Sequence, residues 1–503
     1  MNMRANCLHL TFNVPVWPLA GLLAALALAL CSAAPARAGG EEPPPPQEPP
    51  APTWQLRAEG RFFRDPQGRA VILRGVNVAG NSKVPPFHGV TDMAELDPLA
   101  DWGVNVIRLL FTWEAFEPAP GSYDWGYLDY IESIVDAAHA RGIHTIIDIH
   151  QDGFARFLAD GCGEGFPLWA VSPNADLDEP DNGHDCEDWA TKVLLDPDMH
   201  LSFSDFYADS YGVRTRYLSM LDELARSFKN HDGVIGYDLL NEPWGWEAAE
   251  LLPLYEDAAD VIRSEDADAI LFIEPHASTN NGAVPTTLPQ PTFDNYAYAP
   301  HFYDVGVLTT KIYLGLSTPT DLGFWNMNNK AAEWDVPLFV GEFGMFAETF
   351  NVGGYMDLLY KRLNENLASG AQWNYTPGWN ATDKDGWNGE DLSIVDDSGN
   401  IRANYEVRPY AQKIAGMPTS LWVADDSKTI ELKWSNDPAA GVTELYAPRN
   451  LVWGGAQLKI EKSGSNLSCS FANGNTEVHC TSTSTGAKTV KVRQCVMFFG
   501  SCF

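Results

Sequence analysis

The sequence predicts an α/β protein, a (β/α)8 barrel with a small C-terminal β-sandwich domain. Three observations carry that prediction. Between Ala70 and Ala415, eight short β-branched or apolar runs alternate with longer stretches of helical spacing. No glycine-rich nucleotide turn follows the first run, which argues against a doubly wound open sheet. After Gly416 the helical spacing vanishes, and short alternating runs separated by Ser, Gly and Asn take over. The 503 residues, 45% apolar and 20% charged, suffice for a barrel plus an appendage.

Taken in chain order, residues 1–38 read as a signal peptide. Arg4 gives a weak positive start, and Leu19 to Leu30 is a Leu/Ala run shorter than the roughly 20 residues of a membrane span. Ala36-Arg37-Ala38 then offers small residues to a signal peptidase, so the chain is expected to be secreted (extracellular) after cleavage near Ala38. A lipid anchor on Cys31 is disfavoured because Leu30 is large. Residues 39–53 form a Pro-rich acidic linker that cannot pack a core.

Residues 54–415 are assigned to the barrel. Phe62 to Arg69 reads as a hairpin turning at Asp65-Pro66-Gln67-Gly68, placed to plug the barrel bottom. The expected strands are Ala70–Val78, Val104–Phe111, Ile143–His150, Val234–Asn241, Ile270–Glu274, Asn295–Phe302, Leu338–Glu342 and Ala371–Tyr375. Helical spacing shows at Leu128, Ile131, Val135 and Ala138, and again at Met356, Leu359, Leu363 and Leu367. The sandwich, residues 416–503, is carried by runs such as Thr429–Trp434, Gln457–Ile460 and Thr489–Val492. Its apolar end, Val496 to Phe499, reads as a buried final strand, with a membrane-touching edge as the alternative.

Six cysteines remain beyond the signal peptide, an even number consistent with export. Cys162 and Cys186 flank one insertion and are expected to pair, which would stabilise the fold by roughly 3 kcal/mol. Cys469, Cys480, Cys495 and Cys502 suggest two more bridges of open connectivity, since a zinc site would want close Cys pairs. Lys plus Arg total 33 against 67 Asp plus Glu, a charge of −34 that argues against nucleic acid or an anionic membrane as electrostatic partners. The 17 tryptophans hint at flat platforms for sugars.

Barrels carry their chemistry at the C-terminal ends of the strands. The fourth expected strand runs out at Asn241-Glu242-Pro243, and the seventh at Gly341-Glu342-Phe343-Gly344. Two carboxylates facing across a pocket suit glycoside hydrolysis, one protonating the leaving oxygen and the other attacking the anomeric carbon. For either Glu alone, a solvated loop residue or a partner of Arg108 would serve as well; both together, with Asn241 before the first, favour the catalytic pair.

These residues, with Arg108, His150, His301-Phe302-Tyr303 and Trp373 at other strand ends, resemble glycoside hydrolase family 5 across residues 60–415. Within it the chain is most similar to the endoglycoceramidases. That likeness rests on Arg74-Gly75-Val76-Asn77, Asn81-Ser82-Lys83, Asp148-Ile149-His150-Gln151-Asp152, Tyr237 to Trp244 and the appended sandwich. The resemblance implies a retaining mechanism with carboxyl groups about 5–5.5 Å apart, Glu242 as acid/base and Glu342 as nucleophile. It implies that Asn241 holds the sugar 2-hydroxyl, that Arg108 and Tyr303 sit against Glu342, and that Arg108 favours its ionised form. His150 and His301 would bind substrate or carboxylate, and Trp373 would lie under the reacting sugar.

Asp148, His150 and Asp152 alternate and share one strand face. They could ligate a metal, but without a His-x-His pair sugar-hydroxyl contacts are the better reading, and neither metal nor cofactor is expected. Lys83 reads equally as a surface charge or a contact to substrate. A ceramide leaving group would need an apolar channel. Trp244, Trp246, Phe343, Met345, Phe346 and the Val305 to Trp325 insertion are candidates, with ordinary packing or a cellulose platform as the alternative. The Asp160 to His200 insertion would wall the glycan side. The expected partner is a glycosphingolipid in micelles or membranes, bound by a monomer with possible peripheral membrane contact. A β-glucanase or β-glycosidase of the same family is the alternative, followed by a non-catalytic carbohydrate-binding protein, which would have no need of either Glu.

Overall fold

Eight parallel strands of almost wholly buried residues form the barrel wall. They are β1 (Arg74–Val78), β2 (Val106–Thr112), β3 (His144–His150), β4 (Val234–Asp238), β5 (Ile270–Ile273), β6 (Tyr296–Tyr298), β7 (Phe339–Phe343) and β8 (Ser369–Tyr375). The computed structural model describes residues 55–180, 186, 188–279, 284–495, 497–498 and 501–502, so the expected signal peptide and linker lie outside the described residues. The sheet order is β7-β8-β1-β2-β3-β4-β5-β6. Isolated bridges Tyr298–Leu338 and Phe302–Phe343 close the seam between β6 and β7. There Phe302 N donates to the Glu342 carbonyl at 2.8 Å, and Gly341 N to that of Pro300 at 3.0 Å.

Helices α1 (Trp125–Ala140), α2 (Pro197–Tyr207), α3 (Val213–Phe228), α4 (Leu252–Glu265), α5 (Thr318–Trp334) and α6 (Val352–Glu365) cover the outside. In α1 the residues at helical spacing, Leu128, Ile131, Val135 and Ala138, are the buried ones, and Asp124 caps the start by accepting from Gly126 N and Tyr127 N. In α6 Met356, Leu359 and Leu363 are buried, whereas Leu367 lies past the helix end at φ 51° and packs against the C-terminal core. Among the described residues no helix is long and apolar enough to cross a membrane.

The hairpin turns where expected, with Gly68 N donating to the Asp65 carbonyl at 2.8 Å. Phe63 reaches into the barrel base, its ring centroid 6.0 Å from Phe272 and 6.5 Å from Phe339. Leu73, Val106, Ile146 and Ile270 complete that plug. The expected strand Ala70–Val78 is two strands. Ala70–Val71 pairs with Phe62–Arg64 and Tyr410–Ile414, and the chain enters the barrel only at Arg74 because Ser369 Oγ takes the intervening Leu73 N–H at 2.9 Å. β4 stops at Asp238, since the next carbonyl, Leu239, turns to accept from Tyr217 Oη at 2.5 Å.

Two antiparallel sheets make the C-terminal domain. One runs in the order Arg57–Glu59, Phe62–Arg64, Ala70–Val71, Tyr410–Ile414, Thr443–Tyr446, Glu477–Ser482, Leu467–Ala472. The other runs Gly416–Val423, Thr429–Asn436, Gly486–Gln494, Leu458–Ser463. Ile430, Leu432, Trp434, Leu445, Val478, Val490 and Val492 belong to one core cluster, with strict alternation along Thr429–Asn436. The strand Tyr410–Ile414, ahead of residue 416, thus belongs to this domain, as does the N-terminal hairpin. Tyr410 Oη and Tyr446 Oη donate to the carbonyls of Gly103 and Asp101 at 2.7 and 2.6 Å, tying the sandwich to the barrel. Cys162 pairs with Cys186, Cys469 with Cys480 and Cys495 with Cys502. Met497–Phe498 pairs only with Ser501–Cys502 among the described strands, outside both sandwich sheets, while Val496 and Phe499 lie outside the described residues.

Candidate active site

Arg108, fully buried on β2, organises the barrel mouth. Its Nε donates to Asp238 Oδ2 at 2.9 Å, Nη1 to Asn77 Oδ1 and Glu342 Oε1 at 3.0 Å each. Nη2 donates to Asp148 Oδ1 at 2.9 Å, Asn241 Oδ1 at 2.8 Å and Glu274 Oε1 at 3.0 Å. Burial alone would destabilise this charge, but Asp148, Asp238, Glu274 and Glu342 outweigh it and hold the guanidinium well above its ordinary range. One cation thereby gathers the ends of six strands.

Glu242 and Glu342 meet over this base. Either carboxylate and His301 present ligand atoms all within 4.8 Å of one another. His301 Nδ1 lies 2.9 Å from Glu242 Oε1 and 3.6 Å from Glu342 Oε2. Tyr303 Oη donates to Glu342 Oε2 at 3.0 Å. The Glu242 side chain is the more open, at 20% exposure against 7%. Its backbone turns at φ 39°, and its N–H donates to Glu274 Oε2 at 2.9 Å. Burial pushes the Glu342 carboxyl up from its ordinary value. His301 and Arg108 pull it down while Glu242 adds to the rise, so the help expected from Arg108 exists but is outweighed.

Trp373 on β8 stacks on His150, centroids 5.5 Å apart and planes 9° from parallel, and its Nε1 donates to Glu390 Oε2 at 3.0 Å. His150 Nδ1 sits 2.7 Å from Asp148 Oδ2. Asp148 is wholly buried between that ring and Arg108, so it orients other side chains instead of facing the cavity. Lys83 is buried too. Its ammonium is 2.6 Å from Asp152 Oδ2 and 4.0 Å from Glu164 Oε1, over the rings of Trp373 and Trp387 at 4.6 and 4.0 Å. Burial opposes ionisation of Asp152, but Lys83 and His150 prevail and hold it at about 2. Burial pushes Glu164 up to about 8. His150, despite burial, is raised to about 10 by Asp148 and Glu164. Among the described residues, two of the three sets that by composition suit a cation already meet a protein cation, the third being Glu242, His301 and Glu342. His150, Asp152 and Glu164 surround the Lys83 ammonium, and Asp238 and Glu274, which group with His301, bond the Arg108 guanidinium.

A cavity of about 570 Å³ opens over the pair. Of the expected site residues, Lys83, Asp152, Glu242, Tyr303, Glu342 and Trp373 line it. Arg108, Asp148, His150, Asn241 and His301 stand behind that lining. Apolar lining comes from Val305, Leu308, Phe346 and Leu392, and Trp189 contributes from the disulfide-bridged insertion. Phe343 and Met345 are instead fully buried core. Trp244 and Trp246 line a neighbouring cavity of about 550 Å³, which meets the first at Ser278.

Glu274, Asp238, Glu164 and Glu390 were not anticipated as site residues. Glu274 ends the fifth expected strand, so the rule that found Glu242 and Glu342 reaches it when applied to every strand. Glu164 and Glu390 lie in irregular loops and carry no such signal.

The profile described as Cellulase (glycosyl hydrolase family 5) matches residues 65–378, and that of the glycoside hydrolase family 5 C-terminal domain matches residues 408–493. Endoglycoceramidase I of Rhodococcus hoagii (strain 103S) is 27% identical over 425 residues, covering 79% of this chain and 80% of that one. The lactosyl-enzyme intermediate of endo-glycoceramidase II from Rhodococcus sp. superposes with a TM-score of 0.72 at 25% identity, over 86% of this chain and all of that chain. The ganglioside GM3 complex of endo-glycoceramidase II shares the fold, with a TM-score of 0.74 at 24% identity over 87% of this chain and 100% of that chain. A barrel with two opposed strand-end glutamates and the matching C-terminal domain agree on one assignment: the chain belongs to glycosyl hydrolase family 5.

Proposed function

We propose that the protein is a secreted, retaining endoglycoceramidase-type hydrolase that cuts the β-glycosidic bond between glycan and ceramide. The observation that carries this reading is one cavity holding both glutamates, a Lys83–Asp152–Trp373 surface suited to sugar hydroxyls and an apolar lining of Val305, Leu308 and Phe346. Carboxylate oxygens within 4.8 Å fit the short separation of retaining glycosidases, where no water stands between nucleophile and sugar. The named likeness to an endoglycoceramidase and to a lactosyl-enzyme intermediate supports the same chemistry.

In this mechanism Glu342, fixed by Arg108 and Tyr303, attacks the anomeric carbon from below. Glu242, the more open carboxyl, protonates the departing ceramide oxygen and later draws a proton from water. Asn241, held by Arg108 and by the Gln151 carbonyl 3.0 Å from its Nδ2 just behind the cavity lining, is assigned to the sugar 2-hydroxyl. Trp373, braced by His150 and Glu390, supplies the ring beneath the sugar.

Incubation with glucosyl-, galactosyl- and lactosylceramide in detergent, with products separated by chromatography and mass, tests the proposal. Intact glycan plus ceramide is the expected outcome. Vigorous cleavage of a soluble cellulose derivative without ceramide release would move the enzyme to the polysaccharide hydrolases of its family. Glu342→Gln is expected to lose turnover by several orders of magnitude while its melting transition persists. Mass analysis of the secreted protein should find its first residue next to Ala38.

A further inference from the structure

We infer that Glu274 is a positioning residue that couples to the acid/base through His301, so that Glu274, His301 and Glu242 form one proton-sharing chain. This rests on the acid/base reading of Glu242. One fully buried carboxyl makes two hydrogen bonds and one ion-pair contact with an imidazole. Oε2 accepts the Glu242 N–H at 2.9 Å, and Oε1 lies 3.1 Å from His301 Nε2 and 3.0 Å from Arg108 Nη2. The far side of the same imidazole, Nδ1, is 2.9 Å from Glu242 Oε1. The carboxyl lines no substrate cavity, so it acts only through these neighbours. Its backbone carbonyl is fixed by Tyr255 Oη at 2.9 Å, which pins the strand end.

This geometry permits a balanced proton shift. With Glu242 protonated, the buried proton rests on Glu274 Oε1, and neutral His301 keeps its hydrogen on Nδ1. As the Glu242 O–H bond breaks and the glycosidic oxygen gains that proton, the Glu274 O–H bond breaks and an N–H bond forms at His301 Nε2. The resulting imidazolium faces the new Glu242 carboxylate, and deglycosylation reverses both transfers. The groups facing the pair suit a shared proton. Burial pushes Glu274 up to about 8, with Asp238 raising it further and His301 and Arg108 opposing. Burial opposes charge on His301 while the charges of Glu274 and Glu342 raise it, so the imidazolium is favoured once the proton has left Glu274. Tyr255 and Tyr298, also near Glu274, stay neutral because burial raises both phenols.

Glu274→Gln keeps an acceptor for the Glu242 N–H but can neither release the proton nor carry the charge. Glycosylation rates are to be compared on an alkyl β-glycoside, which needs protonation, and a dinitrophenyl β-glycoside, which does not. The expected loss is at least tenfold larger on the alkyl substrate, with the alkaline limb of kcat/KM moved to higher pH, because an uncompensated Glu242 carboxylate is harder to form. Equal losses on both substrates with an unmoved pH profile would mean a merely structural role and overturn the coupling. Should the variant not fold, a proton inventory of the wild-type enzyme on the alkyl substrate decides. A curved inventory supports two protons in flight, and a linear one overturns the chain. Failure of azide to rescue Glu242→Ala on the dinitrophenyl glycoside would instead remove the acid/base reading itself.

Discussion

At the scale of single residues, the site is built from charges that would be costly to bury alone. Lys83 shows this most plainly, since its ammonium stands between Asp152, Glu164 and two indole rings at 2% exposure. Lys83→Met is expected to leave the buried Asp152 charge with only His150 to offset it and to lower stability by about 3–5 kcal/mol. Chemical denaturation should show the loss, accompanied by a higher KM for the glycan because Asp152 and Trp373 lose their brace. A stability within about 1 kcal/mol of wild type would contradict that assignment of the charge balance. The sequence made Glu242, Glu342, Arg108 and Asn241 legible because each ends or fills a strand of strict pattern. It left Lys83 ambiguous, since only the packing of Trp387 and the Glu164 loop shows that the lysine is enclosed.

At the scale of elements, the insertion after β6 supplies one apolar wall of the cavity. Leu308 and Val305 face the cavity, while Leu314, Leu316 and Trp325 beyond them are 82%, 65% and 62% exposed. Phe350, 65% exposed, joins them through the bridge between Ile312 and Phe350. So many large apolar side chains on one stretch suit contact with a lipid aggregate. Replacing Leu314, Leu316 and Trp325 together by Ser should lower kcat/KM on micellar glycolipid by about tenfold, roughly the loss of 1.4 kcal/mol in contact. Activity on a soluble aryl glycoside should change little, and an equal fall on both substrates would refute a lipid-contact role. Composition pointed to this insertion as apolar. The same reasoning extended to Phe343 and Met345, which are core instead, because alternation along β7 and the turn after it sends them outward under the α6 layer.

At the scale of the whole molecule, stability should depend on pH in a direction set by the buried acids. Glu164 and Glu274 are pushed from an ordinary 4.5 to about 8, and Asp385 from 3.8 to about 8, each chiefly by burial. Through that window the folded protein holds protons that the unfolded chain has released, so stability falls as pH rises from about 5 to 8. His150, raised from 6.5 to about 10, extends the decline to more alkaline pH, whereas Asp152 at about 2 matters only in strong acid. The melting temperature should therefore drop steadily from pH 5 to pH 9, less steeply in Glu164→Gln; a rise across that range would refute the assignment. The shared sheet leads to a further expectation. Truncation after Ala415 would leave Tyr410–Ile414 without its Thr443–Tyr446 partner and uncover Ile72, Val407, Tyr410 and Ile414, which now pack in the sandwich core, so the shortened chain should be insoluble. A soluble, active truncation would show the sandwich to be a dispensable appendage.

Local pattern by itself determined the eight strands, the hairpin plug, the sandwich and the two strand-end glutamates, because periodicity and turn chemistry act over a few residues. Only the tertiary structure decided that the N-terminal hairpin and the sandwich share one sheet, that Lys83 and Asp148 are buried, and that Glu274 reaches Glu242. Those outcomes depend on contacts between segments far apart in the chain, and burial, which sets the charge state of every one of these groups, exists only once the segments have met.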